Sequence, residues 1–101
     1  MRDPRMEAFV QQVRAQTDIL AVVQGYVPLK RKGNRYWGCC PFHNEKTASF
    51  SVVPADGFFY CFGCHAGGDA FKFISLIEHI TPFEAILRQA EQLGIEKPER
   101  Q

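Results

Sequence analysis

Apolar residues near the start of the chain recur with the spacing of a helix. Four of them fall on one face of a helix predicted over residues 5–16: Met6, Phe9, Val10 and Val13. Thr17 and Asp18 then have the form of an N-cap, which predicts a second, short helix that ends near Gly25. The first quarter of the chain is therefore expected to be helical.

The pattern changes in the middle of the chain, where short apolar and aromatic runs alternate with turn-forming residues. Residues 26–29 and 35–38 are predicted to pair as strands around a turn at residues 32–34. Residues 50–53 and 58–60 form a second predicted hairpin around the loop at residues 54–57. These runs indicate a small antiparallel sheet.

Helical patterning returns towards the end of the chain. A helix is predicted to open after Gly67, Gly68 and Asp69 and to continue to residue 77. Thr81, Pro82 and Glu84 form a capping-box pattern for a last helix that stops at Gly94. We therefore expect one α+β domain over residues 1–95, in which N-terminal and C-terminal helices flank the sheet. Residues 96–101 are expected to form a disordered tail.

Length and composition narrow the function classes. A domain of 101 residues buries a limited fraction of its surface, so it gains from a staple such as a metal. The sequence has no apolar run long enough for a transmembrane helix and no signal-peptide pattern. We therefore expect a cytoplasmic protein without a membrane partner, in which paired cysteines favour metal over disulfides.

Two pairs of residues of the kinds that bind metal ions indicate that the staple is a metal. Each pair is separated by two residues, and together they are Cys40 and His43, then Cys61 and Cys64. A turn at each pair directs two side chains at one ion, which predicts a tetrahedral Cys₃His site for one Zn²⁺ at one end of the sheet. Such a site has no open position for water, so we expect it to be structural rather than catalytic. A disulfide or a redox pair at Cys61 and Cys64 is the competing interpretation.

Two further residues compete for a place in that site. Cys39 directly precedes Cys40, and adjacent residues of an extended strand point to opposite faces, so we expect Cys39 to lie outside it. His65 directly follows Cys64, and we expect it to be a bystander or to contact DNA rather than to replace a ligand.

The near-neutral net charge of +1 hides a basic region beside the predicted metal site. Residues 30–46 carry five basic side chains and one acidic one. Aromatic residues alternate with the basic ones, a combination by which single-stranded DNA is bound. The candidates from this pattern are Lys30, Lys32, Arg35, Tyr36, Trp37, Lys46, Phe58 and Tyr60. Five phenylalanines are expected to lie in the core instead: Phe42, Phe50, Phe62, Phe71 and Phe73.

Several runs in the sequence closely resemble the zinc-binding domain of bacterial DnaG-type primases, known as a CHC2-type zinc ribbon. They are residues 40–47 (CPFHNEKT), residues 49–52 (SFSV), residues 60–64 (YCFGC) and residues 67–70 (GGDA), with residues 17–19 and 26–30 upstream. The resemblance covers about residues 6–95. His65 stands where this family commonly has glycine or another small residue.

The resemblance implies a function in DNA replication. This family synthesises short RNA primers on single-stranded DNA, and the zinc domain helps to recognise the initiation sequence on the template. The resemblance adds Lys72 to the expected DNA contacts and strengthens Arg35 and Lys46. It also implies an RNA polymerase domain as partner, in cis or in trans, and a replicative helicase bound through the rest of the full protein. Nucleotidyl transfer belongs to the polymerase domain, so this chain is expected to be inactive alone.

Two other functions stay open on the sequence. One is a free-standing zinc-ribbon regulator that only binds DNA. The other is a zinc-stabilised module for protein interaction that makes no contact with DNA. Binding of labelled single-stranded DNA, measured beside binding of a protein partner, distinguishes them.

Overall fold

The two helices predicted at the start of the chain are present. The computed structural model describes residues 3–42 and 48–98 of the chain. Helix α1 (Pro4–Gln16) begins after Asp3, whose carboxylate accepts a hydrogen bond from the amide of Arg5. Helix α2 (Ile19–Gln24) begins after Asp18, whose carboxylate accepts from the amide of Leu20 in the same way. Both caps satisfy amides that have no partner within their helix.

A five-stranded antiparallel sheet follows. Its strands are β1 (Lys30–Lys32), β2 (Arg35–Gly38), β3 (Phe50–Val53), β4 (Phe58–Cys61) and β5 (Gly67–Gly68). They lie side by side in chain order, so each strand after β1 pairs with the one before it. The predicted hairpins are therefore present, and the described strands form a single meander.

The prediction for the first strand was wrong in position. Residues 26–29 were expected to be a strand, but β1 begins at Lys30. Pro28 has no amide proton to donate to a ladder, and Val27 is buried in the core instead. Gly33 takes a φ of +66°, which allows a tight turn that pairs Lys32 with Arg35. Strand β5 was not predicted, because two glycines carry no apolar pattern.

Two helices complete the fold as predicted, within one residue. Helix α3 (Ala70–Glu78) is capped by Asp69, and helix α4 (Pro82–Leu93) has the capping box of Thr81 and Glu84. Gly94 ends α4 with a φ of +73°, a left-handed conformation that glycine adopts at little cost. Among the described residues, no helix is long and apolar enough to cross a lipid bilayer.

The core consists of two clusters, and α3 contributes to both. The first cluster packs α2 and α3 on the inner face of the sheet and contains Ile19, Val23, Val27, Cys40, Phe50, Val52, Phe59, Cys61, Ala70 and Phe73. The second joins α1, α3 and α4 through Phe9, Val13, Phe71, Ile74, Ala85, Ile86 and Ala90. Helices thus cover one face of the sheet, and the opposite face, called the outer face below, is left without a helical layer.

Candidate metal centre and outer face of the sheet

Three of the predicted metal ligands meet at one end of the sheet. Strands β2 and β4 run in the same direction on either side of β3, and Gly38, Phe50 and Cys61 stand in one cross-strand row. Cys40 follows the end of β2, and Cys61 is the last residue of β4. The antiparallel topology therefore brings two cysteines that are distant in sequence to the same end of the sheet.

The geometry of the three thiols fits a metal ion. The Sγ atoms of Cys40, Cys61 and Cys64 all lie within 4.8 Å of one another. The Sγ atoms of Cys40 and Cys64 are 3.8 Å apart. A tetrahedral zinc site with Zn–S bonds of about 2.3 Å requires its sulfurs to be about 3.8 Å apart. The cluster thus has the ligand type and the spacing that zinc prefers.

The protein surroundings shift the pKa values of two of these thiols in opposite directions. Burial raises the pKa of Cys40 to about 12, and the neighbouring thiols add to this. Burial also acts against ionisation of Cys61, but the amides of Cys64 and Gly63 and the hydroxyl of Ser49 outweigh it and lower its pKa to about 7. The amides of Phe42 and Gly63 each lie 3.4 Å from a cysteine sulfur. A coordinated cation deprotonates thiols outright, and these donors then bond to thiolates.

The other candidates for this site divide into two groups. His43, the predicted fourth ligand, lies outside the described residues, so its role stays a prediction. Within the described part of the chain, the group of thiols includes neither Cys39 nor His65. Cys39 is exposed, and His65 Nδ1 lies 2.8 Å from the hydroxyl of Tyr60.

The outer face of the sheet carries basic and aromatic side chains in two cross-strand rows. One row runs through all five strands, as Lys30, Trp37, Ser51, Tyr60 and Gly67. The row beside it contains Lys32, Arg35, Val53 and Phe58. Directly opposed residues of antiparallel strands point to the same side, and residues two apart on a strand do so too. The rows therefore share one face and contain three basic residues and no acidic one.

Three aromatic rings pack together on this face. The rings of Trp37 and Phe62 are stacked at 5.7 Å, with 26° between their planes. Tyr60 meets Phe62 edge to face at 4.9 Å. The Arg35 guanidinium lies 5.7 Å from the Trp37 ring and 5.9 Å from the Phe62 ring. These contacts hold a cationic group against a half-exposed aromatic surface.

The prediction that Phe62 lies in the core was wrong, because 53% of its surface is exposed. Tyr60 points outward and Cys61 inward, so strand alternation continued by one residue sends Phe62 outward. That alternation was visible in the sequence. The turn between Cys61 and Cys64 concealed it, since such turns do not usually continue a strand.

The predicted DNA-contacting residues divide between the two faces. Six lie on the outer face: Lys30, Lys32, Arg35, Trp37, Phe58 and Tyr60. Tyr36 does not, because it points to the inner face and packs against the first core cluster. Lys72 lies in the first turn of α3, on the helical side of the sheet. Lys46 falls outside the described residues.

The fold and the thiol cluster together define a zinc-ribbon domain, and comparison with known proteins specifies the family. The CHC2 zinc finger family matches residues 5–101. The chain therefore belongs to the CHC2 zinc-finger family, as the sequence predicted.

Its curated relatives are bacterial DNA primases. The DNA primase of Geobacillus stearothermophilus is 49% identical over 90 residues, which are 89% of this chain and 15% of that protein. The DNA primase of Treponema pallidum is 48% identical over 79 residues, 78% of this chain and 13% of that protein. The chain thus spans about a seventh of the length of these relatives.

A solved structure shares the fold. The crystal structure of the zinc-binding and RNA polymerase domains of the Aquifex aeolicus primase matches with a TM-score of 0.84 and 43% identity. The match covers 87% of this chain and 22% of that one. The predicted α+β fold, a small antiparallel sheet with the cysteine cluster at one end, is confirmed.

Proposed function

We propose that this chain is the template-binding zinc domain of a DNA primase. In this proposal it binds single-stranded DNA on the outer face of its sheet and helps to select the initiation site for RNA primer synthesis. The observation that carries the proposal is the row of Lys30, Trp37 and Tyr60 across the sheet, with Arg35 packed on the same aromatic cluster.

The aromatic residues supply the base-stacking part of such a surface. Trp37 and Tyr60 stand on strands separated by β3, so two strand spacings of about 4.8 Å place their backbones roughly 10 Å apart. Phe62 contacts both rings and fills the space between them. Stacking of one base on an aromatic side chain contributes about 1–3 kcal/mol and accepts every base. The cluster therefore suits a flexible single strand better than a duplex.

The basic residues supply the backbone-binding part. Lys30 and Lys32 are exposed on the edge strand β1, where Lys30 pairs with Trp37 and Lys32 pairs with Arg35. Single-stranded DNA whose bases stack on Trp37 has its phosphates within reach of these side chains. Each phosphate that a basic residue neutralises makes the affinity fall with salt. We also propose Lys46 as a DNA contact, on its position in the sequence alone.

Zinc has a structural part in this proposal. We assign Cys40, His43, Cys61 and Cys64 as the ligands of one Zn²⁺. A Zn²⁺ ion held by these residues would keep the thiols ionised, leave the site with a formal charge of −1 and offer no open position to a reacting phosphate. Cys40 follows β2 and Cys61 ends β4, so the ion would hold together the ends of the two strands that carry Trp37 and Tyr60.

The remaining parts of primer synthesis belong to other domains. We propose that nucleotidyl transfer takes place in an RNA polymerase domain that this zinc domain serves in cis or in trans. The replicative helicase would bind through a further part of the full protein, and the whole would act in the cytoplasm. This chain alone would bind template and would make no primers.

Trp37 gives the direct test, because it is the single tryptophan of the chain. Single-stranded DNA should quench its fluorescence. Trp37→Ala should weaken binding of a fluorophore-labelled single strand about 5- to 150-fold, the loss of one stacked base. Phe83→Ala is the matched control, since Phe83 is 42% exposed on α4, on the helical side of the sheet. It should bind DNA as the wild type does.

Equal DNA binding by wild type and Trp37→Ala, with no quenching, would overturn the proposal. Failure of the wild type to bind the labelled strand would instead favour a zinc-stabilised module for protein interaction. That alternative predicts binding to an isolated polymerase domain in the absence of any DNA.

A further inference from the structure

His65 combines a strained backbone with a specific side-chain contact. Its φ is +65°, in the left-handed region that few residues other than glycine adopt, although histidine is enriched there along with asparagine and aspartate. Its amide donates to the carbonyl of Cys61 at 2.8 Å and closes the turn that carries Cys64. Glycine would make this turn without strain, so the turn alone does not require a histidine. Strain that persists at one residue points to a role for its side chain.

The side chain of His65 reaches the outer face of the sheet. Its Nδ1 atom lies 2.8 Å from the hydroxyl of Tyr60, within hydrogen-bond distance, and the two rings are 6.1 Å apart. The Tyr60 ring also meets the Phe62 ring edge to face, at 4.9 Å. Tyr60 is thus held at its hydroxyl by His65 and at its ring by Phe62.

We propose that His65 is a positioning residue for DNA binding, which acts by fixing the orientation of Tyr60. This inference rests on the proposed function, because it takes Tyr60 as a stacking platform for a template base. A tyrosine held in one rotamer before binding does not have to be immobilised by the DNA. Ordering one side chain on binding weakens affinity by about 3- to 10-fold, which sets the expected size of the effect.

His65→Gly separates this role from a purely structural one. Glycine relieves the backbone strain at φ +65°, so the variant should keep its zinc and unfold at the same or a higher temperature than the wild type. Its affinity for a labelled single strand should nevertheless fall about 3- to 10-fold. A structural histidine would instead lower both the melting temperature and the affinity.

Three further variants examine the hydrogen bond itself. Tyr60→Phe keeps the ring and removes the hydroxyl, so it should weaken binding as much as His65→Gly does. The double variant should be no weaker than either single one, because both changes break the same contact. His65→Asn should restore binding, since the Oδ1 atom of asparagine occupies the place of Nδ1 and asparagine tolerates the left-handed conformation.

His79→Gly is the matched control. His79 is the other described residue besides glycine with a positive φ, at 59°, and it caps α3 on the helical side of the sheet. Its replacement should also relieve strain, and DNA affinity should stay at the wild-type value. An affinity unchanged in His65→Gly, while Trp37→Ala binds weakly, would overturn the role of His65 alone. Wild-type affinity in both variants would overturn the proposed function as well.

Discussion

Removal of zinc should unfold the sheet before it disturbs the packing of the helices. Cys40 and Cys61 are buried members of the first core cluster, which packs against the inner face of the sheet. The second cluster, between α1, α3 and α4, contains no cysteine. An ion at the thiols therefore acts directly on one half of the core. Loss of the ion affects the second cluster only through α3, the helix that the two clusters share.

The magnitude follows from what the ion joins. Linking Cys40 to Cys61 closes a loop of about 20 residues, and a cross-link over such a loop removes roughly 3 kcal/mol of chain entropy from the unfolded state. The full apparent free energy of structural zinc is larger, about 10 kcal/mol or more. A domain of this size has a total stability of about 5–15 kcal/mol. Loss of the ion thus removes a free energy comparable to the total stability of the domain.

Native-state hydrogen exchange, followed by NMR with and without a chelator, measures this. Amides of β3 should lose their protection on chelation, whereas amides of α4 should keep part of theirs, and added zinc should restore both. Cys40→Ser should reproduce the effect of the chelator. Cys39→Ser, the adjacent cysteine outside the thiol group, should retain zinc. A metal-free domain with full protection in β3 would show that the ion does not stabilise the sheet.

Three further variants test single features of the structure. Arg35→Gln should lower the slope of log affinity for single-stranded DNA against log salt by about 0.7, the value for one phosphate contact; an unchanged slope would exclude that contact. Gly38→Ala should lower the free energy of unfolding by about 1–3 kcal/mol in denaturant titration, because its Cβ would lie 2.6 Å from the carbonyl oxygen of Pro28. Thr81→Ala should cost about 1 kcal/mol through loss of the capping box, with zinc content and DNA affinity unchanged; a loss of zinc would contradict this.

Helix limits followed from the sequence because their signals are local. Asp18 and Thr81 mark the first turn of a helix, and Gly94 marks the last turn of one. Each acts through contacts with residues close to it in the sequence. The predicted ligand pairs are an equally local signal, since two residues separated by two others can be presented by one turn. The spacing of the pairs indicated the ligand type and number. It did not indicate the 3.8 Å separation between Cys40 and Cys64, which requires β2 and β4 to end at the same edge.

The position of β1 was harder to predict, since residues 26–29 have a better strand composition than residues 30–32. Val27 has its lowest free energy in the core between helix and sheet, where it is 4% exposed. The turn at Gly33 then decides the register of β1. Burial of one residue and the geometry of one turn outweighed the local preference for a strand.

By itself the sequence indicated the order of the helices and of the first four strands, the caps of α2 and α4, the candidate zinc ligands and the family. Only the tertiary structure decided which aromatic residues face outward. Tyr36 and Trp37 are adjacent and alike in composition, yet one packs in the core and the other lies on the outer face. The contact between Tyr60 and His65 was also evident only in the tertiary structure. Composition indicates that a chain can bind DNA, but a binding face depends on strand register, which pairs residues far apart in sequence.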